Sequence, residues 1–334
     1  MSEGSLAKVT LSEAFSRELR NSPGGAWDRL ICYGDVCADL IIPYGKIRDT
    51  LDRMQADVQD IDPQAVEFRS GGSVGNVVRL LARLGEPPVF MTQFGNDRTG
   101  DYLRKALESL CVDLSFAETM TFGSLICIAV LDKQGDRTMF VWCPPWGGYT
   151  SFSSASFPGG LLQGNNLIFS SGMLITDDAV SGNHLISHLE SQKRHGATIV
   201  FDLNVRAESY GLSPIRRRQF EQILELCDIV LGSGIEEFGP FTDCQYLPEA
   251  ARIMAKSGLT VVARDGPNPI HFATPLEYEE IAVEAIAVKA NTIGAGDGFD
   301  AGFLRALYAG LPLRSCIDLG SYTARQLISG AWER

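Results

Sequence analysis

The sequence has no long apolar run and no excess of basic charge. Although 45% of its 334 residues are hydrophobic, no stretch approaches the roughly 20 apolar residues that span a bilayer. The N-terminus carries the acidic Glu3 and lacks a basic start followed by an apolar segment, so we expect a cytoplasmic protein. Lys and Arg number 29 against 41 Asp and Glu, which gives a net charge of −12, and the basic residues are scattered. These features argue against a membrane or nucleic-acid partner.

The sequence also lacks the spacings of disulfide frameworks and zinc sites. Its eight cysteines show no CxxC pattern and mostly fall within apolar runs such as 124–130, so we expect buried free thiols in a reducing compartment. His184 and His188 stand four residues apart in a predicted helix, which is a ligand-like spacing. No third ligand accompanies them, which argues against metal binding.

A glycine-rich stretch at 291–304 carries the strongest functional signal. Small residues fill its first half and apolar residues at helical spacing fill its second half, which predicts a tight loop running into a helix. The free N–H groups of such a helix start, with the positive end of the helix dipole, form a site for a phosphate. Asp297 lies in the first turn, where its carboxylate either takes a proton from a substrate hydroxyl or merely complements the dipole.

Alternating strand and helix patterns predict the fold class. From about residue 160 we predict strands at 166–170, 197–201, 228–231 and 259–263, with helices near 178–194, 214–226 and 247–257. Such units predict a doubly wound α/β fold, in which a mostly parallel sheet carries helices on both faces and binds ligands beyond the carboxyl ends of its strands. Because no linker or repeat divides the chain, we expect an N-terminal extension at 1–28 and a single domain at 29–334.

A second glycine turn and a buried-looking acid precede this region. Gly71 and Gly72 lead to Asn76 and a helix that ends at Gly85, so two glycine-lined helix starts suggest two halves of one binding site. Asp39 lies in the apolar strand 36–43, where it either faces solvent at the strand end or receives the hydroxyls of a polyol.

Two antiparallel strands interrupt the alternation. Residues 124–131 and 137–142 flank the turn sequence 133–136, which predicts a hairpin. Aromatic side chains gather in and just after it, namely Phe140, Trp142, Trp146 and Tyr149. The hairpin is suited to covering an active site, to a dimer contact or to simple edge decoration.

In this order, these stretches resemble the ribokinase-like (PfkB-type) carbohydrate kinase family over nearly all of residues 29–331. The run 292–303 is the most specific part, and the Gly-Gly-x-x-x-Asn at 71–76 and the Asp-x-Asn-x-Arg at 202–206 strengthen it. The resemblance implies a doubly wound sheet with a small β-sheet lid, whose strands lie near 36–43 and 124–142. It also implies Mg²⁺-dependent transfer of the γ-phosphoryl group of ATP to a hydroxymethyl group of a sugar or sugar acid.

The resemblance assigns roles to the residues at matching positions. Asp297 is expected to be the catalytic base, with Gly294, Ala295 and Gly296 as the anion hole. The residues expected to bind substrate hydroxyls are Asp39, Gly71, Gly72, Asn76 and Arg206. Those expected on the nucleotide side are Ser233, Glu236, Arg264, Gly266 and Ser321, with Glu236 acting on Mg²⁺ through water.

Three positions depart from the family pattern. Asn291 stands where many members carry the Asp that in some helps to hold an activating monovalent cation, so the resemblance does not support K⁺ dependence. Ser233 replaces the Asn of the Asn-x-x-Glu motif, which predicts a weaker or rearranged network of Mg²⁺ and phosphates. The sequence ends at Arg334, soon after the last predicted helix, which predicts a shortened wall on the nucleotide side.

Two other functions stay open from the sequence. A nucleoside kinase of the same family needs a flat wall for the base, which Phe140, Trp142 or Trp146 could provide. A catalytically weak sugar-sensing relative, suggested by Asn291, Ser233 and the early end of the chain, would bind sugar without Mg-ATP turnover. The aromatic hairpin also suits a homodimer formed by pairing of the lids.

Overall fold

A sheet of eight strands forms the centre of the protein in its computed structural model, which describes residues 9–42, 66–121, 123–131, 137–142, 163–177, 179–207, 211–284, 286 and 294–332. Along the chain the strands are β1 Arg29–Tyr33, β2 Cys37–Ile42, β3 Glu67–Gly71, β4 Val89–Met91, β5 Gln93–Phe94, β6 Glu118–Thr119, β7 Ile126–Leu131, β8 Arg137–Trp142, β9 Asn166–Ser171, β10 Thr198–Asp202, β11 Ile229–Ser233, β12 Thr260–Asp265, β13 Asn268–Ala273 and β14 Tyr278–Ile281. The order in the central sheet is β14-β13-β12-β11-β10-β9-β1-β4. Neighbours from β12 to β4 are parallel, whereas β13 and β14 are antiparallel. The parallel strands therefore end at one edge, where ligands bind in folds of this class.

Helices cover both faces of this sheet. Along the chain they are α1 Glu13–Arg20, α2 Ser73–Arg83, α3 Arg98–Glu108, α4 Val180–Arg194, α5 Pro214–Leu226, α6 Ile235–Thr242, α7 Leu247–Ala255, α8 Ala295–Tyr308 and α9 Leu313–Ile328. On β10, Val200 packs into one core cluster with α2, α3, α8 and α9, while Ile199 and Phe201 pack into a second cluster with α4 to α7. Alternate residues of a strand thus bury opposite faces, as a parallel sheet between two helical layers requires. The predicted doubly wound α/β fold is confirmed.

A separate sheet of four strands, called here the small sheet, has the order β3-β2-β7-β8. The strand β2 is antiparallel to β3 and parallel to β7, and β7 and β8 form the predicted antiparallel pair. The turn 133–136 of that hairpin, with Trp146 and Tyr149, lies outside the described residues. Gly72 alone separates β3 from α2, so the small sheet is joined directly to a helix of the main body.

Several elements differ from those that the sequence patterns indicate. The apolar run at 88–94 predicts a single strand, but the structure divides it, because β4 pairs with the central sheet whereas β5 pairs with β6. The helix α6 and the antiparallel strands β13 and β14 were not predicted. The helix α2 begins at Ser73, immediately after the glycines, and it ends before Gly85, whose φ of 87° suits the predicted terminal glycine.

The N-terminal segment packs onto the main body. In α1, Phe15 stacks at a tilt on Tyr322 of α9, and after α1 the indole Nε1 of Trp27 donates to Thr198 Oγ1 over 2.9 Å. The boundary at residue 28 stays a prediction.

In the described residues seven cysteines are free, and Cys32, Cys37, Cys127, Cys227 and Cys316 are buried. None of the described helices combines the length and the apolar character needed to cross a membrane.

Candidate active site

The helix α8 begins at the predicted glycine loop and presents Asp297 in its first turn. Its N-cap residue, Gly294, has a φ of 75° and supplies no side-chain hydrogen bond to the helix. A Cβ at Gly294 would meet Asp297 Oδ2 only at 3.7 Å, so the glycine is needed for its backbone conformation rather than for space. The first N–H groups of α8 therefore have no side-chain cap, and this leaves them for an anion.

Two chains of hydrogen bonds converge on the carboxylate of Asp297. In the first, Asn76 Nδ2 donates to Asp297 Oδ2 over 2.8 Å, and Arg79 Nη2 donates to Asn76 Oδ1 over 3.2 Å. The guanidinium thus turns the amide oxygen toward itself and the amide N–H toward the carboxylate. Both residues lie on α2, one helical turn apart.

The second chain reaches the other oxygen from the end of β10. Arg206 Nε donates to Asn204 Oδ1 over 2.6 Å, and Asn204 Nδ2 donates to Ser73 Oγ over 2.8 Å. Ser73 Oγ then donates to Asp297 Oδ1 over 3.2 Å. Asn204 and Arg206 have φ angles of 36° and 49°, so this loop is held in a conformation that few residues other than glycine adopt. Each carboxylate oxygen is therefore oriented by an arginine acting through neutral side chains.

The environment of Asp297 raises its proton affinity. The pKa of Asp297 is raised to about 6, and burial is the main cause of the rise. The Asn76 hydrogen bond lowers this pKa, whereas the carboxylates of Asp202 and Asp35 raise it further. At neutral pH the group is still mostly ionised. A carboxylate that is ionised yet more basic than a free Asp is suited to accept a proton from a hydroxyl.

The glycines at the start of α2 make room for two carboxylates of the protein itself. Asp35, which follows β1, accepts hydrogen bonds from the backbone N–H groups of Ser73 over 2.6 Å and Val74 over 3.1 Å. A Cβ at Gly72 would lie 2.9 Å from Asp35 Oδ2, and one at Gly71 would lie 2.3 Å from Asp39 Oδ2. The N-terminus of α2 is therefore occupied by Asp35, whereas the N-cap of α8 provides no side-chain hydrogen bond.

Asp39 lies on β2, and its cross-strand neighbour in the small sheet is Arg69 of β3. Arg69 Nε lies 4.0 Å from Asp39 Oδ2, and the thiol of Cys37 donates to Asp39 Oδ1 over 3.5 Å. Burial raises the pKa of Asp39, and the Arg69 charge opposes that rise. The acid is partly buried, beside the α2 start that carries Asn76.

Arg264 forms a buried ion triplet beside the first turn of α8. Its Nη1 donates to Asp300 Oδ1 over 2.6 Å and to the Gly296 carbonyl over 3.0 Å, and its Nη2 donates to Asp202 Oδ2 over 2.9 Å. The Nε donates to the Gly232 carbonyl, and only 8% of the residue is exposed. Burial would lower the pKa of Arg264, but Asp300 and Asp202 outweigh it and raise it. Arg264 thus ties the first turn of α8 to the ends of β10 and β11, with its guanidinium engaged by protein groups.

The predicted nucleotide residues Ser233 and Glu236 lie at the end of β11 and the start of α6. Glu236 is exposed, whereas its neighbour Glu237 is more buried and accepts a hydrogen bond from the Ser233 N–H over 2.7 Å. Burial, with a contribution from Asp202, raises the pKa of Glu237 to about 7. Within the described residues, no three His, Cys, Asp or Glu side chains cluster as metal ligands.

The structure does not bring every predicted residue into this network. Gly266 has a φ of 57° in the turn between β12 and β13. Ser321 lies within α9 and is partly exposed, and it takes no part in the hydrogen bonds described above. Asn291 lies outside the described residues, together with Thr292 and Ile293. The roles predicted for Gly266, Ser321 and Asn291 stay predictions.

Sequence reasoning missed several residues that organise the site, namely Asp35, Ser73, Arg79, Glu237 and Asp300. A signal existed for Asp35, because an acid directly after a buried strand sits at the edge where the parallel strands end. No local signal distinguished Arg79 or Asp300, since each lies in an ordinary helical pattern and acquires its partner from elsewhere in the chain.

The sequence is similar to those of two sugar kinases. A 5-dehydro-2-deoxygluconokinase of Geobacillus thermodenitrificans is 24% identical over 266 residues, covering 78% of either chain. A fructoselysine 6-kinase of Escherichia coli is 27% identical over 275 residues, covering 82% of this chain and 95% of that protein.

The fold has a counterpart among solved structures. A ribokinase from Thermotoga maritima superposes with a TM-score of 0.69 at 17% identity, covering 90% of this chain and 93% of the other. The sequence pattern of the pfkB family carbohydrate kinases matches residues 28–331. This match spans almost the whole chain, in agreement with the ribokinase-like fold and the helix start that carries Asp297. The chain belongs to the pfkB family of carbohydrate kinases.

Proposed function

We propose that the protein transfers the γ-phosphoryl group of ATP to a hydroxymethyl group of a sugar or sugar acid, with Asp297 as general base. The observation that carries this proposal is the Asp297 carboxylate, held by Asn76 and Ser73 in the first turn of a helix whose N–H groups lack a side-chain cap. A base and an anion site thus share one helical turn. In-line transfer requires both at the reacting hydroxyl.

The base acts by taking the hydroxyl proton as the oxygen attacks phosphorus. Asn76 and Ser73 donate one hydrogen bond to each carboxylate oxygen, so each oxygen retains a lone pair that can accept a proton. The backbone N–H groups of Gly294, Ala295 and Gly296, at the start of α8, stabilise negative charge on the transferring phosphoryl group. Arg264 holds the Gly296 carbonyl and so supports the position of this loop.

The residues present fit an Mg²⁺ ion that is bound mainly by ATP. Mg²⁺ usually keeps several waters and takes only one or two protein carboxylates, so a dedicated cluster of acids is not required. Glu236, which is exposed in the first turn of α6, is the carboxylate that would hold it through water on the nucleotide side. When bound, the ion neutralises charge on the phosphates.

The sugar side of the site is proposed to comprise Asp39, Asn76 and Arg206. The partly buried Asp39 carboxylate is an acceptor for substrate hydroxyls, and Arg206 is exposed next to Asn204. The names of the relatives, a deoxygluconokinase and a fructoselysine kinase, support a sugar or a sugar derivative as acceptor.

Release of ADP from Mg-ATP tests the proposal over a panel of hexoses, pentoses, 2-keto-3-deoxy sugar acids and nucleosides. Asp297→Asn is measured alongside, with Asp318→Asn as a matched control because Asp318 is an exposed acid of α9. We expect one substrate class to respond, the control to retain that turnover and Asp297→Asn to lose it. A panel in which no substrate exceeds the Asp297→Asn background would overturn the proposal and favour the sugar-sensing alternative.

The position of Phe140 argues against its predicted role in the nucleoside alternative, where it would form a wall for the base. Asp39 lies opposite Cys127, and Cys127 lies opposite Val141, so these three share a face of the small sheet. Phe140 is on the other face, in a row with Ile128, and cannot wall a pocket beside Asp39. Trp146 lies outside the described residues.

The same row supports the predicted homodimer through the lid. Phe68, Leu40, Ile128 and Phe140 are cross-strand neighbours, and the two phenylalanines at its ends are 44% and 55% exposed. Such an apolar stripe is suited to a second copy of the sheet. Light scattering that gives a dimeric mass for the protein and a monomeric mass for Phe140→Lys would support this, whereas a monomeric mass for both would remove it. The cytoplasmic location expected from the sequence stays a prediction.

A further inference from the structure

Two arginines next to the sugar side of the site have unused hydrogen-bonding capacity. Arg69 on β3 and Arg79 on α2 each carry a buried Nε with no hydrogen-bond partner in the described part of the chain. Arg79 is only 5% exposed, and the side chain of Arg69 is 15% exposed. Guanidinium groups that leave water are normally paired by carboxylates or other acceptors, so this arrangement is costly without a further partner.

Protein carboxylates compensate these charges incompletely. Asp39 Oδ2 lies 4.0 Å from Arg69 Nε, which is beyond hydrogen-bond distance, and Glu67 Oε2 lies 3.7 Å from Arg69 Nη1 on an exposed side chain. Arg79 donates to the neutral amide of Asn76. Burial lowers the pKa of Arg79 to about 10, and the nearby Arg69 and Arg83 charges contribute. The local balance is therefore positive in a protein whose net charge is −12.

The position of the pair relates it to the reacting centre. Arg79 contacts Asn76, and Asn76 contacts Asp297, so one amide group separates this guanidinium from the proposed base. Arg69 approaches Asp39, which lies against Gly71 at the end of β3, just before α2 begins. A group bound by both arginines would thus sit beside the proposed sugar site, on the side of Asn76 that faces away from Asp297.

We propose that Arg69 and Arg79 form a subsite for an acidic group on the sugar, so that the preferred substrate is an anionic sugar rather than a neutral one. This rests on the proposed function and narrows its substrate class. The acidic group sits at the end of the sugar remote from the hydroxymethyl group that Asp297 deprotonates. Planar guanidinium groups bind carboxylate and phosphate alike, so the shared chemistry is that of a sugar carboxylate or a sugar phosphate.

The test measures equilibrium binding without ATP, so that it does not depend on catalysis. Calorimetry compares three probes, namely 2-keto-3-deoxygluconate, fructose 6-phosphate and neutral fructose, for the wild type, Arg69→Gln and Arg69→Lys. Arg218→Gln is the charge-matched control, because Arg218 is exposed on α5. Arg69 is substituted rather than Arg79, since Arg79 also orients Asn76.

We expect the wild type to bind one of the two anionic sugars at least about 10-fold tighter than fructose. Arg69→Gln should weaken the binding of that anion by about 10- to 100-fold, since the loss of a hydrogen bond between charged groups changes affinity by this order. Arg69→Lys should restore part of the loss, and Arg218→Gln should retain the wild-type ratio. The stronger of the two anions identifies the source as carboxylate or phosphate.

Equal binding of anionic and neutral sugars, failure to bind either anion, or an equal loss for all probes in Arg69→Gln would overturn the subsite. Turnover separates this failure from a failure of the proposed function. If sugars are phosphorylated without preference for an acid, only the subsite is wrong. If no sugar is phosphorylated but the binding ratio is as expected, the subsite stands and the kinase mechanism is wrong.

Discussion

The side-chain amide of Asn76 donates to Oδ2 of Asp297 over 2.8 Å, across 221 residues of sequence. This contact joins the two glycine-lined helix starts into one site. Because a hydrogen bond to the ionised form lowers a carboxyl pKa, Asn76 acts against the burial that raises the pKa of Asp297 to about 6. The pKa of the proposed base thus reflects a balance between burial and the Asn76 hydrogen bond, and substitutions can shift this pKa in either direction.

The first prediction concerns removal of the base. Asp297→Asn keeps the size of the side chain but removes its ability to accept a proton, so kcat should fall by about 10²- to 10⁴-fold. Binding of the sugar, measured by calorimetry, should change far less, because the loss concerns the transition state. Turnover within a few-fold of the wild type would exclude Asp297 as the base.

The pH profile should reveal the raised pKa of Asp297. Protonation of the base abolishes activity, so kcat/KM should rise with pH through about 6 and level off above it. In Asn76→Ala the ionised form loses a hydrogen bond of about 1.5–3 kcal/mol, which moves the midpoint up by about one to two pH units. Asn268→Ala, which removes an exposed amide that donates to Asp265, is the control. An unshifted midpoint in Asn76→Ala would show that another group controls this limb.

Substitution of Asp35 should move the same midpoint the other way. The Asp35 carboxylate raises the pKa of Asp297 through charge repulsion, so Asp35→Asn should shift the acid limb of kcat/KM to lower pH. The variant also loses part of the helix cap that Asp35 gives to Ser73 and Val74, at a cost of roughly 0.5–2 kcal/mol in the free energy of unfolding. A shift toward higher pH would contradict the assigned sign, whatever the loss of stability.

Asp297 should make the protein less stable as the pH rises. Its pKa in the folded state, about 6, exceeds the ordinary value of 3.8, so the folded state binds more protons between these values. Its contribution to stability is therefore present below about pH 4 and is lost as pH rises through 6. The free energy of unfolding of Asp297→Asn relative to wild type should increase by on the order of 1–3 kcal/mol from pH 4 to pH 8. Urea titrations at several pH values measure this difference, and a flat difference would disprove it.

The ion triplet around Arg264 should contribute to the stability of the fold. Arg264→Met leaves the buried carboxylates of Asp202 and Asp300 without their cation, which should lower the free energy of unfolding by about 3–5 kcal/mol. Arg314→Met breaks exposed ion pairs with Glu279 and Asp318 and should cost at most about 1 kcal/mol. Urea unfolding of both variants provides the comparison, and similar losses in the two would contradict a structural role for the triplet.

Local sequence determined the elements and the identity of the proposed base. The glycine run before an apolar helix indicated the start of α8, and alternating apolar segments indicated the parallel strands, because both signals depend on residues within a few positions of one another. The same reasoning wrongly joined β4 and β5 into one strand, and it missed α6 and the antiparallel edge strands, whose patterns are short. It identified Asp297 and Asn76 separately, on two helices.

Only the tertiary structure decided which partner each charged side chain meets. Arg264, expected on the nucleotide side, lies between Asp202, which is 62 residues away, and Asp300, which is 36 residues away. Asp35 caps a helix that begins 38 residues later, and Arg79 reaches Asp297 through Asn76. These contacts follow from the order of strands in the sheet and from the packing of α2 against α8, and no local spacing encodes either. Sequence therefore specified the chemical groups, whereas their charge states and partners depend on burial and on contacts across the fold.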